Sequence, residues 1–331
     1  MPKKHFLSAL FLSSLLLLVS ACGSSAAPAG PADKGSGSGT AGGPYTAATP
    51  IRTVVADPAF GNYGRLLFPV QKGYYSGDTL GKLDLVWYNN INPRKTVEIV
   101  NYLHREAAAG RTVFYDIYTE QEKRADSAKR DTGLFFFRGR PGAKTAIVNA
   151  GGGFAYVGAM QDSFPVALEL SKKGYNAFAL IYRPGAETAC QDLSRAIAFL
   201  SENAGRLQID MKGYSLWGGS AGARMAAWVG SYGTAAFGEK PYPQPAMIVT
   251  QYTGMSEVTG KEPPTYANVG TSDGIAWYRT MEDRIARIRA AGQDAQIEVF
   301  PGLHHGFGLG EGTAAQGWVD HATAFWEKHA R

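Results

Sequence analysis

Residues 214–229 read Tyr214-Ser215-Leu216-Trp217-Gly218-Gly219-Ser220-Ala221-Gly222-Ala223-Arg224-Met225-Ala226-Ala227-Trp228-Val229. Tyr214 to Trp217 has the apolar character of a buried strand, and Ala221 to Val229 carries small and apolar residues at helical spacing. Between them lies the pattern Gly218-x-Ser220-x-Gly222, a serine at the tip of a sharp strand-to-helix turn. A side chain two residues to either side of that serine would collide with the neighbouring strand or helix, so glycine is demanded there. In a chain with 41 glycines such a pattern also arises by chance. Its meaning therefore depends on whether the rest of the chain supplies what a serine nucleophile needs.

Outward from this turn the chain alternates strands and helices. Thr112–Tyr118 and Gly133–Arg138 read as strands joined by the charged stretch 120–131, which favours an antiparallel opening pair. Lys144–Asn149 is a third strand, running into Gly151-Gly152-Gly153-Phe154. A helix over 163–173, a strand over 176–182 and a helix over 190–204 precede Gly213–Trp217. Strands over 246–250, 265–269 and 295–300 follow, with helices over 277–291 and 313–329. Strands alternating with helices of this length indicate a mostly parallel sheet covered on both faces, with its ligand at the carboxyl ends of the strands.

Upstream the signals are mixed. Leu66–Val70 and Leu83–Tyr88 read as short strands, and Pro93–Ala109 as a helix stopped by Gly110. The role of residues 51–110 stays open: the segment either packs on the following domain or shapes its site from one edge. Residues 1–21 form a leader, with Lys3 and Lys4 before the apolar run Phe6–Val19, which is short and serine-interrupted for a membrane span. Val19-Ser20-Ala21-Cys22 resembles the bacterial lipobox. That resemblance implies cleavage before Cys22, lipid on its thiol, and an extracytoplasmic, membrane-anchored protein. Residues 22–50, rich in Gly, Ala, Ser and Pro, read as a disordered tether. The folded domain is expected over 51–331.

The net charge of +5 includes the two leader lysines, and no basic run is interleaved with aromatics, which argues against nucleic-acid binding. With Cys22 assigned to lipid, Cys190 has no disulfide partner and no metal-ligand cluster around it. It reads as a small buried residue near a helix start.

Ser220 needs a base. His104, His321 and His329 lie in predicted helices, whereas His304 and His305 occupy a loop just past the last strand, where a base can reach the serine. The base needs an acid, and Asp273 in Val269-Gly270-Thr271-Ser272-Asp273-Gly274 again follows a strand. A turn or helix N-cap aspartate is the competing reading of that residue. Glu257, Glu262 and Asp283 are reserves. An oxyanion needs backbone N–H donors, one from Ala221 and others from the Gly151–Gly153 loop. A phosphate-loop reading of those glycines fails because no Lys-Ser/Thr follows and the spacing is not G-x-G-x-x-G. Phe154, Tyr156, Trp277 and Phe307 are candidate pocket walls.

Residues 133–329 resemble the α/β-hydrolase superfamily, within it the esterase/lipase group related to hormone-sensitive lipase and to bacterial feruloyl and acetyl-xylan esterases. The resemblance rests on Gly151-Gly152-Gly153-Phe154, Tyr182-Arg183-Pro184, Gly218-Gly219-Ser220-Ala221-Gly222, Asp273 and His305-Gly306-Phe307, in the order Ser, Asp, His. It implies that His305, directly before Gly-Phe, is the base and that His304 is a rim neighbour. It also implies that Gly152, Gly153 and Ala221 carry the oxyanion donors. The chain departs from the group at Ala150, where many relatives have a histidine that orders the glycine loop, so the order of that loop is in question. The implied activity is ester hydrolysis through an acyl-enzyme, without metal or organic cofactor, on a small-molecule or carbohydrate ester. A serine peptidase on the same fold, and a surface-displayed binding protein with an inactive site, are the alternatives.

Overall fold

A computed structural model describes residues 43–88 and 91–330. The expected leader, Cys22 and most of the expected tether lie outside the described residues. Eight strands form one sheet: β1 (Phe114–Tyr115), β2 (Gly133–Phe137), β3 (Lys144–Asn149), β4 (Asn176–Ile181), β5 (Asp210–Gly219), β6 (Met247–Gln251), β7 (Thr265–Gly270) and β8 (Ala295–Phe300). Their spatial order is β8-β7-β6-β5-β3-β4-β2-β1. The expected antiparallel opening is present, β1 pairing with β2 and β2 with β4 in that sense. All other pairings are parallel, with Val148 of β3 opposite Trp217 of β5 and Trp217 opposite Val249 of β6.

The central strands are continuous apolar runs because both faces are covered. Leu134, Phe135, Ile147, Phe178, Leu216 and Ile248 are all fully buried. Helices α1 (Pro93–Ala108), α2 (Ser163–Lys172), α3 (Ala186–Glu202), α4 (Ala221–Tyr232), α5 (Tyr278–Ala290) and α6 (Trp318–His329) lie where helices were expected, α6 starting five residues later than expected because 313–317 form turns. Helix α3 starts four residues earlier than expected, which places Cys190 inside it, buried, with its thiol pKa pushed up by desolvation. None of the described helices is long and apolar enough to cross a membrane.

The topology fixes where a site can form. Strand β3 sits between β4 and β5. The chain leaves β3 toward one side and later returns to the other, so the loops after β3 and β5 diverge at a switch point and leave a crevice there. The glycine loop and Ser220 are those two loops.

Two expectations upstream are corrected. Leu66–Val70 is not a strand: Pro58–Leu67 winds as 3-10 turns broken at Gly61, and of 83–88 only Asp84–Leu85 pairs, with Tyr75–Ser76. Proline and glycine spacing in this stretch defeats an extended ladder. The folded body also begins before residue 51. Tyr45, the large aromatic in an otherwise small-residue stretch, is buried and its N–H donates to Asn101 Oδ1 at 3.1 Å. Asn101 Nδ2 donates back to the Tyr45 carbonyl at 2.9 Å, and the Tyr45 hydroxyl donates to Asp57 at 2.6 Å. His104, expected at the surface, packs its ring on Tyr45 and Phe60.

Candidate active site

Ser220 sits between β5 and α4 with φ 52 and ψ −114, a conformation that L-residues rarely adopt. The glycine requirement is visible on both sides. A Cβ on Gly218 would lie 2.2 Å from the Gly222 carbonyl oxygen, and one on Gly222 would lie 2.1 Å from the Asn149 carbonyl oxygen. The Ser220 N–H donates to the Gln251 carbonyl at 2.9 Å, tying the turn to β6.

His305 Nε2 lies 3.0 Å from Ser220 Oγ, and His305 Nδ1 lies 2.9 Å from Asp273 Oδ2. The carboxylate accepts from Nδ1–H, which leaves Nε2 bare toward the serine hydroxyl. The Asp273 side chain is fully buried and that of His305 nearly so. Asp273 serves both readings made of it. Oδ2 meets His305, while Oδ1 accepts from the N–H groups of Ile275 and Ala276 at 2.8 and 2.7 Å. Its turn role thus fixes the carboxylate in place for the histidine.

The other candidates lie elsewhere or are engaged. His304 is exposed. His321 pairs with Glu298, and His329 with Asp294. Glu257 accepts from Tyr232 and Trp228, and Glu262 from the N–H groups of Thr259 and Gly260. Asp283 is exposed on α5.

The glycine loop adopts backbone conformations that require glycine, with φ 122 at Gly152 and 61 at Gly153, and Phe154 follows at φ 60. Among the described residues the N–H groups of Gly152 and Gly153 meet no acceptor. Ala221 opens α4, so its N–H has no partner within the helix by position. Gly151, by contrast, is committed: its N–H donates to Asp162 Oδ2 at 2.7 Å.

Asp162 was not foreseen. It precedes α2, the place of an N-cap aspartate, yet its side chain caps nothing and turns into the site. There it also accepts from the Tyr88 hydroxyl at 2.6 Å and from the Tyr252 hydroxyl. Burial raises its pKa, the three donors and nearby His305 opposing that rise. Tyr252 in turn packs edge-on against the His305 ring, centroids 5.0 Å apart. Tyr182, part of the matched Tyr-Arg-Pro, donates to the Ala150 carbonyl at 2.7 Å, and Arg183 next to it binds Asp192. The order of the glycine loop, put in question by Ala150, is thus supplied by Asp162 and Tyr182.

Residues 51–110 gain a role here. Tyr88 reaches Asp162, and Trp87, at φ 70, lies where a Cβ on Gly153 would be 2.9 Å from its ring. The segment covers the glycine loop. Of the expected pocket walls, Phe154 stacks on Trp228, Phe307 packs on Tyr252 and Trp277 is 60% exposed, while Tyr156 is fully buried against Tyr74.

This fold and this arrangement can be set beside known proteins. Residues 139–274 match the BD-FAE family model. The chain has the α/β-hydrolase fold. Among solved structures it is similar to the acetyl ester-xyloside bifunctional hydrolase from Caldicellulosiruptor lactoaceticus, at 21% identity over 65% of this chain and 95% of that one, with a TM-score of 0.57. It is similar to Thermogutta terrifontis esterase 2 phosphonylated by cyclosarin, at 20% identity over 60% of this chain and 89% of that one, TM-score 0.53. The propionate-bound form of the same esterase gives 21% identity, 60% and 89% coverage and a TM-score of 0.52. A search of curated proteins by sequence found no match.

Proposed function

We propose that this α/β hydrolase is a serine carboxylic ester hydrolase, with Ser220 as nucleophile, His305 as general base and acid, and Asp273 as the group that orients His305. The reading is carried by one observation: a serine on a strained turn, 3.0 Å from an imidazole whose other nitrogen is held by a buried carboxylate at 2.9 Å. Ser220 Oγ attacks the ester carbonyl as Nε2 takes its proton. Asp273 stabilises the imidazolium that forms. The N–H groups of Gly152, Gly153 and Ala221 receive the oxyanion, in a conformation set before substrate arrives. His305 then returns the proton to the leaving alcohol, and water, activated the same way, releases the acid.

Esterases among the similar structures support ester over peptide bonds, and the acetyl ester-xyloside hydrolase favours an acylated carbohydrate as natural substrate. Cys22 is the lipid attachment point in this reading, which holds the enzyme at the outer side of a bacterial membrane. The test is turnover of 4-nitrophenyl acetate by the full-length protein, with fluorophosphonate labelling mapped by mass spectrometry. Label on Ser220, lost in Ser220→Ala together with turnover, is expected. Absence of both turnover and label would sink the ester-hydrolase reading.

A further inference from the structure

Arg224 lies on α4 one turn beyond Ser220, its N–H donating to the Ser220 carbonyl at 3.3 Å. Its side chain is half-buried. Nη2 lies 3.6 Å from where a Cβ on Gly254 would stand, and the Ile275 carbonyl oxygen lies 3.7 Å from the same point. The guanidinium is thus wedged between the loop after β6 and the turn that Asp273 fixes.

An arginine in that position would be expected to have a partner. Arg183 meets Asp192 at 2.7 Å, and Arg284 donates to the Glu257 carbonyl at 3.0 Å. Arg224 has neither: no hydrogen bond, ion pair or ring contact joins its side chain to another described residue. Burial lowers its pKa, and no carboxylate offsets that effect. Withdrawing a cation even partly from water without a counter-charge is costly. Yet its nitrogens are not sealed off, since none is among the fully buried atoms lacking a partner. A planar fork of donors on the helix that begins at Ser220, lying by the loop after β6 and the Asp273 turn, reached by solvent and unclaimed by another described residue, suits a carboxylate that arrives from outside. One turn further on the same helix face, Trp228 stacks with Phe154 at 5.9 Å between ring centroids, giving the neighbouring wall an apolar, planar surface.

We propose that Arg224 forms an anion subsite beside Ser220, and that the preferred substrates are esters bearing a carboxylate on the acid or alcohol half. This rests on the ester-hydrolase reading above. It deepens that reading by naming a charge the substrate must carry.

The experiment compares kcat/KM for paired esters in the full-length protein. For the acid half the pair is 4-nitrophenyl hydrogen glutarate against 4-nitrophenyl valerate. For the alcohol half it is 3-acetoxybenzoate against its methyl ester. The anionic-to-neutral ratio is expected to exceed one in at least one pair and to fall about 10- to 100-fold in Arg224→Met, the range for loss of a hydrogen-bonded charge. Arg224→Lys should restore part of it, and the pair affected identifies the half that bears the anion. No preference in either pair, or an equal loss on anionic and neutral esters, overturns the subsite. Should no ester be turned over and Ser220 go unlabelled, the ester-hydrolase reading falls by itself. The subsite is then decided by glutarate: a rise in wild-type Tm that is absent in Arg224→Met sustains it, and no rise refutes it.

Discussion

Replacing Asp162 by Asn separates the chemistry of the site from the stability of the fold. Three donors converge on the carboxylate: the Tyr88 and Tyr252 hydroxyls and the Gly151 N–H. Asp162→Ala would strand all three at about 1–3 kcal/mol each, a sum comparable to the whole stability of a domain at about 5–15 kcal/mol. That variant reports only on folding. Asn keeps one acceptor oxygen and turns an NH2 toward at least one former donor, so one charge-assisted bond is lost, again about 1.5–3 kcal/mol. Against this stands the removal of a buried charge. Burial raises the Asp162 pKa, so the folded protein holds the ionised form less readily than the unfolded chain does. The contribution of this carboxyl therefore becomes more favourable to folding as the pH falls through its raised folded value, a gain Asn cannot show. At neutral pH the two effects offset, and Asp162→Asn should lie within about 2 kcal/mol of wild type in urea unfolding. Relative to the variant, the wild type should gain stability on acidification. Activity should suffer more. Gly151 begins the loop whose next two N–H groups are the proposed oxyanion donors. Loosening it degrades an interaction made in the transition state, with a ceiling of about 10²–10³ for complete loss of one donor. We expect kcat and kcat/KM on 4-nitrophenyl acetate to fall together by about 10- to 100-fold, with KM little changed. A variant with wild-type kcat, or one whose loss lies wholly in KM, would refute the positioning role of Asp162.

Two further outcomes follow from the proposed site and the proposed lipid anchor. His305→Ala should lower kcat/KM by about 10⁴-fold or more, while the exposed His304→Ala keeps most of the activity; kinetics on one ester decides it, and the reverse ranking would assign the base to His304. Cys22→Ala should move the protein from the membrane to the soluble fraction on ultracentrifugation, and undiminished membrane retention would remove Cys22 as the anchor.

The parts that could be read from the chain share a property: each announces itself locally. Ser220 is flanked by glycines that the turn demands, Asp273 and His305 stand in loops directly after apolar strands, and three successive glycines mark a close backbone approach. The sheet was legible for the same reason, since a strand buried on both faces is a continuous apolar run. What escaped notice depends on distant pairing. Asp162 looks like any aspartate before a helix, and nothing nearby shows that tyrosines 74 and 90 positions away converge on it. Arg224 lies on a helix face that is elsewhere apolar, and its isolation is a property of what surrounds it. Leu66–Val70 misled because its apolar density is that of a strand, while the prolines and glycines around it dictate 3-10 turns. Tyr45 shows how one aromatic can draw a low-complexity stretch into the fold.

Asp162 also explains a residue that the serine pattern leaves free. Gly219 is an unspecified position in G-x-S-x-G, yet a Cβ there would sit 2.7 Å from Asp162 Oδ2. The same oxygen accepts from Gly151 and Tyr88. One buried carboxylate therefore presses against the turn carrying Ser220, holds the first glycine of the glycine loop and binds a tyrosine from the N-terminal segment. A side chain at Gly219 would push against Asp162 and, at 3.1 Å, against the Tyr252 ring that packs on His305. The N-terminal segment is coupled to the glycine loop by the same route, because losing Tyr88 would leave Oδ2 of the buried Asp162 with a single donor. The segment whose role the sequence left open thus helps to hold the glycine loop, through Tyr88 on Asp162 and Asp162 on Gly151.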